Sequence, residues 1–167
     1  MIRDLALMSS GLLVDELGGP SARPYQPAGY YAHLNFPTRA YYADKDQQQY
    51  RRGVYIHWQR QFLHPMLRAF DAPTREECTA QRPISNTPLA ALTLLNDPSF
   101  VEAARVLAQR SLVANDSSVA PSIKWIFQQV MTRGIKPDEL QILLTLYESQ
   151  LQQYQQLDPT ALEVLKV

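Results

Sequence analysis

Cysteine is almost missing from this sequence of 167 residues, where Cys78 stands alone. A single cysteine excludes an internal disulfide, a Cys-Cys metal site and a C-x-x-C-H haem attachment. No His or Lys lies within helical reach of Cys78, so it reads as a small, partly buried hydrophobe rather than a reactive thiol. Long apolar runs are absent as well. Stretches such as Leu89 to Leu95 fall far short of the ~20 residues a membrane-spanning helix needs. The first residues do not follow the basic, apolar, small-residue order of a secretion signal, so no export signal is expected within the chain. Charge of one sign is also missing, because Lys plus Arg equals Asp plus Glu at 16 each and no basic run occurs. That balance argues against a nucleic-acid partner. There is no Ser-His-Asp order, no phosphate-cradling glycine loop and no nucleophile elbow, so catalysis has no visible nucleophile.

What is present is apolar content of 46%, with 12 prolines and 9 tyrosines. This length and composition predict one domain with a real core, mainly α, an irregular multi-helix unit with a long Pro/Tyr-rich ordered coil in its N-terminal half. Ile2, Leu5, Ala6, Met8, Leu12 and Leu13 keep a helical period that Gly18-Gly19-Pro20 is expected to stop. Residues 18–46 are too proline-rich for helix or central strand and too aromatic for disorder. The spacing of Tyr50, Val54, Tyr55, Trp58 and Phe62 predicts a helix over 47–64 closed by Pro65. A polar loop at 70–86 follows, then a helical core over 87–156. Thr87-Pro88 and Asp97-Pro98 start two helices meeting at an angle. Pro121 opens a further helix that Gly134 ends, and Lys136-Pro137 begins the next, with Leu140, Leu143, Leu144, Tyr147 and Leu151 on one face. A short tail helix is expected from Thr160 to Lys166.

Three groups of side chains are candidates for chemistry. His57 and His64 stand seven apart, two turns along the expected helix, with Asp71 beyond. Helical metal pairs sit at i,i+3 or i,i+4, so no metal site is expected, and His64 reads as a favourable cation at a helix end. Asp71, Arg75, Glu76, Glu77, Thr79, Arg82 and Asn86 crowd one loop. They suit either a hydrogen-bonded network holding the loop or paired carboxylates for acid-base work. Tyr25, Tyr30, Tyr31, Tyr41, Tyr42, Tyr50, Tyr55 and Trp58 gather in one third of the chain, forming either a satellite core or a surface for sugar stacking or a protein partner. The candidate binding residues are Arg23, Tyr25, Tyr30, Tyr31, Trp58, Asp71, Arg75, Arg82 and Asn86.

The run from Phe70 to Thr79, then Arg82, then Asn86-Thr87-Pro88 through Arg105, resembles the signature of a known family. Gly18-Gly19-Pro20-Ser21 with Arg23-Pro24-Tyr25-Gln26-Pro27, and Tyr50-Arg51-Arg52-Gly53-Val54-Tyr55 with Trp58, match two earlier blocks in order and spacing. The family is the C-terminal domain of unknown function, PSD type, of exported, cytochrome-associated planctomycete proteins. The likeness covers Ile2 to Arg133. Ala90 stands where the family more often has Gln, Gly53 where it often has Ser, and Gly134-Ile135-Lys136-Pro137 varies a Gly-Arg-x-Pro turn. The resemblance implies export to the periplasm or cell surface and, in a linked domain of the parent protein, a c-type haem; no cofactor is expected in this chain. The family domain begins well upstream, which agrees with a first helix that lacks a cap at Ile2, so an N-terminal part is expected to be missing.

These readings together predict a binding or scaffolding module of a cell-envelope protein that engages a polysaccharide or an envelope protein. The alternative is part of an enzyme or redox accessory whose site is completed by the missing segment or a haem domain. A bare apolar face on the first helix predicts self-association.

Overall fold

The computed structural model describes residues 2–31, 40–59, 62–74, 78–81, 83 and 85–156. Among them are six α-helices: α1 Ile2–Ser10, α2 Pro65–Ala69, α3 Pro88–Asn96, α4 Pro98–Ala114, α5 Val119–Met131 and α6 Pro137–Gln156. The described residues form no strand, only isolated bridges, so the chain is mainly α. No helix among them is long and apolar enough to cross a membrane. The expected tail helix lies outside the described residues.

The chain divides into two compact units, Met1–Met8 with Leu12–Val101, and Ser9–Gly11 with Glu102–Val167. In the first unit the core is small: Ile56, Met66 and Phe100, flanked by Ala6, Leu67 and Phe70. Phe70 and Phe100 meet edge to face with centroids 5.8 Å apart, the arrangement their ring quadrupoles favour. α3 packs against α2. Its leucines at 89, 92, 94 and 95 nonetheless stay exposed, as do Ile2, Leu5 and Met8 on α1.

The long segment between α1 and α2 is held by side-chain to backbone bonds rather than by helix. Arg51 is buried to 1% exposure. Its guanidinium donates to the carbonyls of Pro20, Gly18 and, at 3.2 Å, Glu16, and it lies 4.3 Å from the centroid of Tyr55. Arg3, also buried, donates to the carbonyl of Arg51 at 2.7 Å and to that of Gln49. Burial pushes the Arg3 pKa down, and Asp4 and Asp97 partly oppose the shift. Two parallel bridges, Val14 with Arg51 and Ala22 with Ile56, complete the attachment.

This attachment explains why the helix expected over 47–64 does not form. Among its described residues the segment contains two single 3-10 turns, Gln47–Tyr50 and Gly53–Tyr55, and no α-helix. The carbonyls of Gln49 and Arg51 accept from Arg3, those of Tyr50 and Tyr55 from the backbones of Val14 and Ala22, and the Gly53 N–H donates to Asp4 at 2.7 Å. Groups that a helix would pair at i−4 are spent on distant partners. Val54, at a position the periodicity placed on the buried face, is 70% exposed. Pro65, expected to close a helix, opens α2 instead. His64 caps it, with Nδ1 accepting from the Met66 N–H at 3.3 Å while Nε2 meets the Tyr25 carbonyl at 2.9 Å. A ring that accepts at one nitrogen and donates at the other is neutral, which corrects the expectation of a cationic helix end.

Two other helix ends fall elsewhere than expected. α1 stops at Gly11, not at Gly18, because Gly11 takes φ +80° and the N–H of Leu12 turns back to Leu7 at 2.9 Å. A Cβ at Gly11 would meet the Arg110 guanidinium at 2.5 Å. α5 stops at Thr132, with φ 55°, before Gly134 is reached. Three expected starts are present: Thr87 accepts from Ala90, Asp97 from Ser99, and Pro137 opens α6, whereas α5 begins at Val119, two residues before the expected Pro121.

In the second unit Ser122 Oγ donates to the Ser111 carbonyl at 3.2 Å, both serines being buried, so small side chains bring α5 against α4. α5 and α6 pair across a turn locked by Arg133, whose guanidinium donates to both carboxylate oxygens of Glu139 at 2.9 and 2.6 Å. The Arg133 hydrogen bonds and the Lys136 N–H hold the Glu139 pKa down at about 2.

Replacing Arg51 by Met should destabilise the chain by about 2 kcal/mol, since three carbonyls lose the donors that tie the coil to a buried side chain. Arg51→Lys should recover less than half, because one ammonium cannot fan across them; urea unfolding of both variants measures this. A second expectation concerns pH. Burial lowers the His64 pKa from 6.5 to about 4, with Arg3 acting the same way and the Tyr25 hydrogen bond opposing. The folded state therefore resists protonation, so this contribution to stability is complete above pH 6.5 and is lost as pH falls toward 4. It amounts to roughly 3 kcal/mol at most. Urea midpoints across that range should fall more steeply for the native chain than for His64→Asn, whose amide oxygen retains the cap.

Candidate functional site

Residues 21–26 run extended, and their burial alternates. Ala22, Pro24 and Gln26 are buried, while Ser21, Arg23 and Tyr25 face out. The register is fixed where the Ala22 N–H donates to Tyr55 at 2.8 Å and the His57 N–H donates to Ala22 at 2.7 Å. Arg23 is clamped through its backbone, its N–H donating to the Asp44 carboxylate at 2.7 Å and its carbonyl accepting from the Asp44 N–H at 2.8 Å. Its guanidinium makes no hydrogen bond among the described residues.

Arg23, Tyr31, Ala40, Tyr41, His57 and Gln59 line a pocket of about 280 Å³. Its back wall is a ring cluster: Tyr31 meets Tyr41 edge to face at 5.6 Å and Phe62 at 5.9 Å. The Tyr41 hydroxyl donates to the Pro24 carbonyl at 2.5 Å. Burial, then the neighbouring Tyr31, raises its pKa, so it stays protonated. At the pocket edge the Ser21 hydroxyl lies 3.3 Å from His57 Nδ1, and His57 Nε2 lies 3.4 Å from the Gln59 side-chain oxygen.

A second, larger cavity of about 630 Å³ has an apolar floor of Met66, Leu67 and Phe70 and includes Asp4, Asp71 and Ser85 in its wall. Asp71 follows α2 in the left-handed region at φ 54°. The Ala72 N–H returns to Leu67 at 3.0 Å and that of Asp71 to Arg68 at 3.2 Å, the Schellman closure that ordinarily takes glycine. The carboxylate repays the backbone cost by accepting the N–H of Ser85 at 2.8 Å and its hydroxyl at 2.6 Å. A polar loop 14 residues on is thereby tied to the end of α2.

The nine sequence-derived candidates thus separate. Arg23 and Tyr31 line the small pocket, and Asp71 lines the large cavity. Tyr25 faces solvent on the same segment as Arg23, and Tyr30 donates to the Leu63 carbonyl at 2.8 Å beneath the coil. Trp58 is half-buried and Asn86 exposed. Arg75 and Arg82 lie outside the described residues. His57 and His64 share no helical face, since no helix joins them, and among the described residues no three His, Cys, Asp or Glu side chains could hold a metal ion. Cys78 is exposed, not partly buried, and sits outside any helix. Sequence reasoning missed Ser21 and Gln59, and it named Tyr41 among the gathered tyrosines and weighed His57 only as a metal ligand, without placing either in this pocket. The alternation within Ser21-Ala22-Arg23-Pro24-Tyr25-Gln26 was the available signal, readable only with the partner segment known.

The sequence matches the model of the PSD1 family, described as a protein of unknown function (DUF1553), over residues 1–147. The chain belongs to that family. No curated protein and no solved structure matches it.

Asp71→Gly removes the left-handed cost and the Ser85 bonds together, whereas Asp71→Ala removes the bonds and keeps the cost. The Ala variant should be less stable than the Gly variant by about 1 kcal/mol. Thermal or urea unfolding of the two distinguishes a strained, bonded Asp71 from an idle one.

Proposed function

We propose that this member of the PSD1 family is a binding module that takes a hydroxyl-rich ligand, a polysaccharide strand, on the outward face of residues 21–26 and the pocket beside it. The supporting observation is the pocket itself: aromatic walls from Tyr31 and Tyr41 beside Arg23, His57 and Gln59, which carry hydrogen-bonding groups. Sugars carry many hydroxyls and some C–H surface, and a mainly polar pocket with tyrosine in its wall fits that chemistry. Tyr25, 44% exposed, extends the same face. The resemblance of the three sequence blocks to exported planctomycete proteins supports placing the parent protein in the cell envelope, with a c-type haem domain as its linked neighbour.

A second reading follows from the larger cavity, where Asp71, Asp4 and Ser85 share a wall over an apolar floor. There the domain completes a catalytic or redox site of the parent protein. Unchanged parent turnover on Asp71→Ala would remove it.

The test of the leading reading is retention of the chain by xylan, mannan and a sulfated galactan in affinity electrophoresis, with Tyr25→Ala and Arg23→Ala beside it. Neither change touches the ring cluster or the Asp44 backbone clamp, so the fold should persist. Loss of about tenfold in affinity per substitution, roughly 1.4 kcal/mol, is expected. Retention that is absent, or identical in all three proteins, overturns the proposal.

A further inference from the structure

We infer that Ser21, His57 and Gln59 form a hydrolytic centre for O-acyl esters, with Ser21 as nucleophile, His57 as base and Gln59 as the residue positioning His57. The substrate class, acyl groups on sugar hydroxyls, rests on the polysaccharide reading of the adjoining pocket; the chemistry of the three side chains does not.

The geometry is a chain of two hydrogen bonds. Ser21 Oγ is 3.3 Å from His57 Nδ1, and Nε2 of the same ring is 3.4 Å from the Gln59 side-chain oxygen. An amide oxygen at Nε2 requires the proton there, which leaves Nδ1 as the bare, basic nitrogen facing the hydroxyl. An amide serves as third member in Cys-His-Asn sites, so a carboxylate is not essential to this role. Distances toward the long end of the hydrogen-bonding range are usual before substrate closes a site.

Placement makes the pair more than a chance meeting of surface side chains. The bonds from Ala22 to Tyr55 and from His57 to Ala22 fix the register on both sides, with Ala22 and Ile56 buried beneath. Ser21 and His57 are therefore held on a rigid backbone pairing. Gln59 is anchored in turn by the Phe62 N–H donating to its carbonyl at 2.5 Å. Arg23, on the outward face with Ser21, brings a guanidinium with no hydrogen-bond partner among the described residues, suited to an oxygen that gains negative charge. Among the described residues, the charged and titratable groups that line the pocket with His57 are Arg23, Tyr31 and Tyr41.

In the first step Ser21 Oγ bonds to the ester carbonyl carbon while its proton passes to His57 Nδ1. The carbon-alkoxy bond then breaks, and the departing sugar oxygen takes that proton. Water attacks the acyl-serine, again losing its proton to Nδ1. Release of the acid returns the proton to Ser21, so the sum is ester plus water giving alcohol plus acid.

The full chain incubated with excess alkyl fluorophosphonate should gain one phosphonyl group, mapped by mass spectrometry to Ser21, and should hydrolyse 4-nitrophenyl acetate and O-acetylated xylan. Ser21→Ala should abolish the adduct, and His57→Asn should slow its formation about 100-fold. Gln59→Glu should move the pH midpoint of labelling upward, since a carboxylate at Nε2 strengthens the base; a merely structural Gln59 would leave it fixed. No adduct on Ser21, or labelling indifferent to Ser21→Ala, overturns the inference. Xylan, mannan or galactan retention by the native chain separates the two ideas: retention without an adduct sinks hydrolysis alone, and an adduct without retention sinks the polysaccharide reading alone.

Discussion

The first unit depends on two guanidinium groups doing what a helix or sheet ladder does elsewhere. Arg51 collects the carbonyls of Glu16, Gly18 and Pro20, and Arg3 collects those of Gln49 and Arg51. Buried backbone carbonyls must be paired or their desolvation is uncompensated. A segment with this many prolines cannot pair them internally. Arginine suits the role because its donors fan out in a plane and reach several acceptors at once. Dependence is also sequential, since Arg3 fixes the backbone of the residue whose side chain fixes the coil.

That arrangement decides what the sequence could disclose. Local signals were read correctly: Thr87-Pro88, Asp97-Pro98 and Lys136-Pro137 each begin a helix because cap and proline act within four residues. The stretch 47–64 was misread because its apolar spacing is helical while its backbone bonds run to Arg3, Asp4, Val14 and Ala22, more than twenty-five positions away. Helix ends at Gly11 and Thr132 show the same limit at smaller scale. Thr132 adopts a left-handed backbone that composition alone assigns to Gly134.

The candidate site was legible in part for the same reason. Arg23 and Tyr31 could be selected as residue types suited to recognition, and the structure brings them to one pocket. Asp71 could be singled out, but not its left-handed backbone or its hold on Ser85. Tyr41 comes from one stretch and His57 with Gln59 from another, and only the Ala22–Ile56 register sets His57 beside Ser21. No pattern within either stretch encodes that register.

The aromatic coil resolves into two populations, and the division bears on function. Tyr30 and Tyr41 spend their hydroxyls on the carbonyls of Leu63 and Pro24, and Tyr31 is 8% exposed among their rings. These three pin irregular chain down, as a satellite core does. Tyr25 spends its carbonyl on His64 and leaves its ring in water. A ring held by its backbone but not by its hydroxyl is oriented at little entropic cost on binding, which is the condition for affinity from a small contact area. The satellite core and the proposed recognition surface are therefore not competing readings of one set of tyrosines: the buried rings wall the pocket and stiffen the coil, and the proposed binding face extends from them to the exposed one.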